Sequence, residues 1–279
     1  MLASRLRQIP CQEAANVQVM STTVAPALKA LLERFIDYAG VFPPAALSLD
    51  GAVANYDNYR SGEYSWMLRW FVVGTAQLEL VPKSLDGSLS VISESDETRA
   101  ASIESKGVVA AQHPVYCEVA LDNLALLDAV KQAGCFAKIR TGGLKPEAIP
   151  TPSAVAAFIL ACAQRRLPFK ATAGLHHPLR AMHPLTYEAD APQAVMHGFL
   201  NVLMASAFAW YGEKQIEPIV AEMDPTAFSF DERSHWRNKS LDVSQIRQAR
   251  LSFMHSVGSC SFDEPVHDLK QLGLFRGNT

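Results

Sequence analysis

The stretch Phe136-Ala137-Lys138-Ile139-Arg140-Thr141-Gly142-Gly143 and its counterpart Pro168-Phe169-Lys170-Ala171-Thr172-Ala173-Gly174-Leu175-His176-His177 decide the fold. Each reads as a short β-strand carrying a cation at its centre and glycine at its exit, and a helix-like run, 153–166, separates them. A strand, a helix and a second strand in succession predict parallel strands joined by a helical crossover. In such a fold the strand exits are where ligands bind, so a lysine on each of two successive strands points to chemistry on an anionic or carbonyl compound.

The same alternation extends outward. Apolar spacing predicts a helix from Pro26 to Tyr38, stopped by Gly40 and Pro43-Pro44, and a second helix over 50–59. Strands are expected at 66–73, 89–92, 108–110 and 115–121, then a helix at 122–133 and the strand–helix–strand core of 136–173. Farther on, the pattern predicts helices at 193–210, 213–223 and 243–251 and strands at 227–230 and 253–257. A closing helix is expected from Asp263-Glu264-Pro265, whose acidic residues and proline suit a first turn. Seven or eight strands favour a (β/α)8 TIM-like barrel, possibly distorted, with N-terminal helices, over an open doubly wound sheet. The expected organisation is a disordered or added extension over residues 1–22 and a single barrel domain over 23–279.

With 279 residues, 49% hydrophobic and 19% charged, the chain can bury a full core. Its net charge of −3 and pI near 6.2 give no global field that would draw nucleic acid or an anionic membrane. A small-molecule partner is therefore expected. Five scattered cysteines, Cys11, Cys117, Cys135, Cys162 and Cys260, suggest neither a disulfide framework nor a zinc knuckle, which fits a reducing cytoplasm. Residues 1–20 lack the apolar core of a secretory signal, and the longest apolar stretch, 194–211, is interrupted by His197, Asn201 and Ser206. It reads as a buried or interfacial helix, and Phe199, Phe208 and Trp210 on it suit self-association.

Because side chains alternate along a strand, Lys138 and Arg140 share one face, Lys170 and Thr172 share another, and Glu118 opposes Cys117 and Val119. In a barrel these five would point inward. One carboxylate among three cations is expected to push a lysine toward its neutral, nucleophilic form, the requirement for a Schiff-base amine. The same cluster also reads as an ion-pair network that fills the barrel centre. The Asp37–Ala45 segment reads as a helix C-cap and rigid loop, or as a first strand presenting Asp37; the Gly and Pro-Pro punctuation favours the former.

The run from Lys138 to Lys170-Ala171-Thr172-Ala173-Gly174 resembles the central part of class I aldolases of the deoxyribose-phosphate type. That resemblance implies Lys170 as the imine-forming residue and Lys138 as a neighbour lowering its pKa. The family's second, Gly-Gly-flanked lysine has no match on a later strand here, and His176-His177-Pro178 follows the glycine instead. The phrases 37–45, 172–178 and 258–265 resemble those of a family of uncharacterised bacterial proteins, which implies no reaction.

Further candidates surround these. His176, His177, His183 and His197, with Glu188 and Asp190 nearby, suit acid–base or anion-binding roles, or the ligand set of a metal-dependent hydrolase or isomerase. His197 and Asn201, four apart on a helix, line a pocket or are satisfied within the core, the second being favoured. Gly142-Gly143 and the 258–261 turn, including Ser259, offer backbone N–H groups to an anion, or are turns needing positive φ. Cys260 is a candidate nucleophile, since a helix N-terminus lowers a thiol pKa.

The leading expectation is a cytoplasmic, aldolase-like barrel lyase acting on a small anionic carbonyl compound. Lys170 would be its nucleophile, Lys138 the modulator, and Glu118 or His176 the proton-transfer group. Arg140, Gly142, Gly143, Thr172, His177 and Ser259 would hold the substrate, with no cofactor or resident metal. The alternatives are the metal-dependent enzyme built on His176, His177 and His183, and a non-catalytic metabolite-binding barrel.

Overall fold

The computed structural model describes residues 23–276; the expectation for residues 1–22 lies outside them. Eight parallel strands close into a barrel: β1 (Ile36–Tyr38), β2 (Leu68–Gly74), β3 (Leu89–Ile92), β4 (Ala100–Ser105), β5 (Val115–Glu118), β6 (Phe136–Arg140), β7 (Phe169–Thr172) and β8 (Met254–Ser259). Each pairs with its neighbour in sequence, and β8 closes on β1 through Val257 and Ile36. Closure leaves no sheet edge, which removes the unpaired backbone groups an open sheet would expose.

The chain is a distorted (β/α)8 barrel. A helix follows β1 (Leu49–Ser61), β5 (Leu126–Gln132), β6 (Pro152–Arg165) and β8 (Asp263–Gln271), and a single turn, Thr75–Leu78, follows β2. No helix separates β3 from β4 or β4 from β5. Arg99 secures the first of these bare returns, donating to the Leu78 and Val81 carbonyls and pairing with Asp86 at 2.6 Å. Between β7 and β8 lie an antiparallel hairpin (Ala181–Pro184 with Gln193–Met196), helix Phe199–Trp210, a three-stranded meander over 228–242, and helix Val243–Ser252.

The outward parity of each strand feeds the core, as alternation requires. Ala137, Ile139, Phe169 and Ala171 are all under 2% exposed. Helix Pro152–Arg165, capped at its start by the Thr151 hydroxyl, buries Val155, Phe158, Ile159 and Cys162. The segment 146–165 is long and apolar enough to cross a membrane by length and composition alone, and part of its apolarity is the stripe it packs against the barrel.

Three expected elements differ. The helix starting at Pro26 ends at Leu32, and Ile36–Tyr38 is β1; Arg34, at φ 48°, turns the chain between them. The apolar spacing ran on through Phe35 and Ile36 because strand and helix both bury them. No strand forms at 108–110; β4 is the small-residue run Ala-Ala-Ser-Ile-Glu-Ser at 100–105, which lacks the β-branched enrichment that marks strands in sequence. The helix expected from Gln193 begins at Phe199, and Gln193–Met196 pairs into the hairpin. Phe199 and Phe208 are buried against their own barrel, and Trp210 at the end of that helix is half-buried.

Candidate functional site

Strand register sets the interior in layers. Glu118 of β5 aligns with Lys138 of β6, and Lys138 with Lys170 of β7; one layer nearer the strand exits, Arg140 aligns with Thr172 and Thr172 with Gly258. All five residues expected inside are therefore stacked on adjacent strands as alternation dictates.

The charge balance differs from the expectation of one carboxylate among three cations. Asp37 of β1 and Glu104 of β4 also enter the interior, both at most 2% exposed. Lys170 Nζ lies 2.5 Å from Asp37 Oδ2 and 2.6 Å from Glu104 Oε1. Burial opposes its charge, but the two carboxylates outweigh burial and raise the Lys170 pKa above its ordinary value. The expected lowering of that pKa by Lys138 is thus corrected: the lysine is held as an ammonium, and it is fully buried.

Glu104 is the hub. Burial disfavours its charge, yet Lys170, Lys138 and the Ser90 hydroxyl hold its carboxyl down at about 2. Ser90 donates to Glu104 Oε1 at 2.9 Å and is itself supported by Ser102 at 3.0 Å. Asp37 accepts from Ser256 at 2.7 Å through the oxygen that meets Lys170, and its other oxygen is buried without a partner among the described residues. Ser256 in turn accepts from Arg69 Nη1 at 2.9 Å.

Lys138 is held more loosely, 3.2 Å from Glu118 Oε2 and 3.4 Å from Glu104 Oε2. It lines a cavity of about 290 Å³ at the strand exits, together with Glu104, Arg140, Thr172, His176 and Cys260, whereas Lys170 lies beneath the cavity wall. The loop after β1 contributes Phe42, Pro43 and Pro44, the last two joined by a cis peptide, and the hairpin side contributes Leu185 and Met196. An apolar wall with a few convergent charges is the usual composition of a small-molecule site.

His176 faces this cavity, with Nδ1 3.0 Å from Ser259 Oγ and 3.7 Å from both Cys260 Sγ and Glu264 Oε2. Burial, then the neighbouring His177 and His183, push its pKa down to about 4, so it is neutral near pH 7 and can accept a proton. Burial also raises the Cys260 thiol, correcting the expected lowering by the helix N-terminus. Glu264 N–H at that terminus is already capped by the Ser261 hydroxyl.

Other expected contacts are spent elsewhere. His177 bonds Asp268 at 2.6 Å and stacks on His183 at 3.5 Å between ring centres, outside the cavity wall. Among the described residues no group of three or more His, Cys, Asp or Glu is gathered in metal-holding geometry. Ser259 is 1% exposed, and its hydroxyl is used by the Ser261 carbonyl and His176, so it is not free to clamp an anion. Gly143 lines the cavity. Neither Gly142 nor Gly143 has a positive φ; a Cβ on Gly142 would come 3.1 Å from Gly174 Cα, so close approach of two loops is what glycine permits there. His197 and Asn201 are satisfied core residues: His197 bonds the Pro150 carbonyl, and Asn201 bonds Arg180 N–H and the Ile219 and Glu222 carbonyls.

Sequence reasoning named Asp37 only as a disfavoured option and missed Glu104. The signal for Glu104 was the alternation of Ser102 and Glu104 against Ile103, the pattern that marked the two lysine strands. No protein-family model, no curated protein and no solved structure matches the chain.

Proposed function

We propose that the barrel mouth is the active site of an enzyme acting on a small carbonyl compound that bears a phosphate or carboxylate, with Lys138 as the amine that forms an imine. The observation that carries this reading is the placement of Lys138 on the cavity wall, 3.2 Å from the Glu118 carboxylate and two residues from Arg140 on the same strand face. Glu118 takes a proton from the Lys138 ammonium, and the freed lone pair attacks the carbonyl carbon. The two protons that the nitrogen loses combine with the carbonyl oxygen and leave as water, so a protonated imine remains. Arg140 holds the anionic group, and neutral His176 is placed to take a proton from the substrate once the imine withdraws electrons from it. A cavity of about 290 Å³ holds roughly ten water volumes, which suits a compound of few carbon atoms.

In this reading the roles expected for the two lysines are exchanged. Lys170, buried and doubly paired, keeps Glu104 ionised beneath Lys138 and is a positioning residue. The 138–174 run resembles class I aldolases, which points to aldol-type cleavage or condensation as the reaction class, but that resemblance places the imine on Lys170, the assignment this reading replaces. One observation favours a second reading, a metabolite-binding barrel without turnover: both lysines are ion-paired. Incubation with small phosphorylated or carboxylated aldehydes and ketones, reduction with borohydride and intact mass measurement separate the two. A stable adduct supports the enzyme; ligand affinity without any adduct selects the binding barrel.

A further inference from the structure

A second cavity, of about 520 Å³, opens at the opposite end of the barrel, where the strands begin. Four arginines line it, Arg34, Arg69, Arg247 and Arg250, against a single carboxylate, Glu33. The chain as a whole carries a net charge of −3, so this concentration of cation is local. Among the described residues none of the four arginines pairs with a carboxylate.

Arg250 is 8% exposed and is held entirely by backbone, donating to the carbonyls of Leu31, Glu33, Met254 and His255. Those bonds fix its position without a direct carboxylate contact; Asp37 and Glu33 act on its charge only from a distance. Arg69 is fixed at one end by Ser256 and Tyr116 and stacks on Trp70, its guanidinium carbon 3.7 Å from the ring centre. Arg34 and Arg247, both exposed, make no side-chain hydrogen bond or ion pair among the described residues. Two cations are therefore pre-placed by the fold and two are free to close on a ligand. Burial and then the charge of Arg69 push the Arg250 pKa down to about 9, as expected where like charges share a partly dry space. Clustered cations cost stability and are not needed to build the closed end of a barrel.

We propose that this cavity binds a small multivalent oxyanion, a metabolite bearing phosphate or several carboxylates, at a site distinct from the barrel mouth. Guanidinium groups match both anions through paired N–H donors, and the Trp70 and Phe136 rings in the cavity wall suit a flat or apolar remainder. Binding would place negative charge among cations that are now unpaired, the same gain whichever oxyanion supplies it.

Calorimetric titration of the full chain with inorganic pyrophosphate and, separately, with citrate, at ionic strength fixed by sodium chloride, tests this. At least one probe is expected to bind, and the stronger of the two assigns the anion to the phosphate or the carboxylate class. Arg247→Gln and Arg34→Gln, on exposed side chains that the fold does not use, should each weaken that binding about tenfold or more. Lys106→Gln, at an exposed cation just past the exit of β4 that lines neither cavity, should leave it unchanged. No heat from either probe up to about 10 mM, in protein shown to be folded, overturns the site. So does binding that Lys106→Gln abolishes or that both Arg34→Gln and Arg247→Gln leave intact.

Discussion

Lys138 and Lys170 share one carboxylate: Glu104 turns Oε1 to Lys170 at 2.6 Å and Oε2 to Lys138 at 3.4 Å. The inequality sets their roles. Lys170 has a second buried partner in Asp37, whereas the second partner of Lys138, Glu118, has 30% of its side chain exposed. One lysine is locked and the other is within reach of a ligand.

Lys170→Met removes the cation from two buried carboxylates and should cost about 3–5 kcal/mol of stability, because an uncompensated buried charge is expensive. Lys138→Met should cost clearly less, since water can reach Glu118. Urea denaturation of the two variants measures the difference. Equal losses would mean that the pairs are energetically alike and that the exposure difference does not matter.

Stability should fall on acidification in two stages. His176 and His183 are held down at about 4 and His255 at about 3, chiefly by burial, against an ordinary value of 6.5. Below pH 6.5 the unfolded chain takes up protons that the folded chain refuses, so stability is lost as pH drops from 6.5 toward 4. The Glu104 carboxyl, held at about 2 against an ordinary 4.5, adds a second loss as pH falls from 4.5 toward 2. Urea midpoints recorded from pH 7 downward should begin to decline just below pH 6.5. A flat profile down to pH 5 would contradict the buried, neutral state of these histidines.

Arg140 is exposed at the mouth and, among the described residues, makes no ion pair. Arg140→Gln should therefore shift stability by less than about 0.5 kcal/mol. Loss of a charged hydrogen bond to the substrate anion should raise KM about 10–100-fold with a smaller change in kcat. A melting curve and steady-state kinetics on any compound found to form the imine check both halves. An unchanged KM would remove Arg140 from the anion site.

Gly174 holds φ at +75°, and its Cα packs against Gly142. Gly174→Ala should cost about 1–2 kcal/mol from the left-handed conformation alone, with crowding of the 142–143 loop in addition. Gly142→Ala, at an ordinary φ, should pay only for the 3.1 Å approach to Gly174 Cα. Thermal denaturation that ranks Gly142→Ala as the more damaging would show that the loop approach, not the backbone conformation, dominates.

The parallel barrel and the inward parity of Glu118, Lys138, Arg140, Lys170 and Thr172 were legible because strands of clear period flank a clear helix. Asp37 was obscured because Phe35 and Ile36 continue the helical spacing begun at Leu28, and only Arg34 in a left-handed conformation breaks it. Glu104 was hidden in a run of small residues whose strand pairing is set by its neighbours β3 and β5, so its short alternation of Ser102 and Glu104 against Ile103 was the only local sign. Without these two carboxylates the lysines looked like a cluster of mutually repelling cations. With them, the Lys170 pKa is raised rather than lowered, and Lys138 is the lysine left on the cavity wall.

The most direct test is to map the borohydride-trapped adduct by peptide mass spectrometry in the wild-type chain and in Lys138→Ala, for whichever carbonyl compound gives the largest intact-mass shift. The adduct is expected on the peptide containing Lys138, and it should vanish in Lys138→Ala while that variant remains folded. An adduct on Lys170, or one that survives Lys138→Ala, would contradict the assignment and show that the buried, doubly paired lysine is reached by the substrate after all.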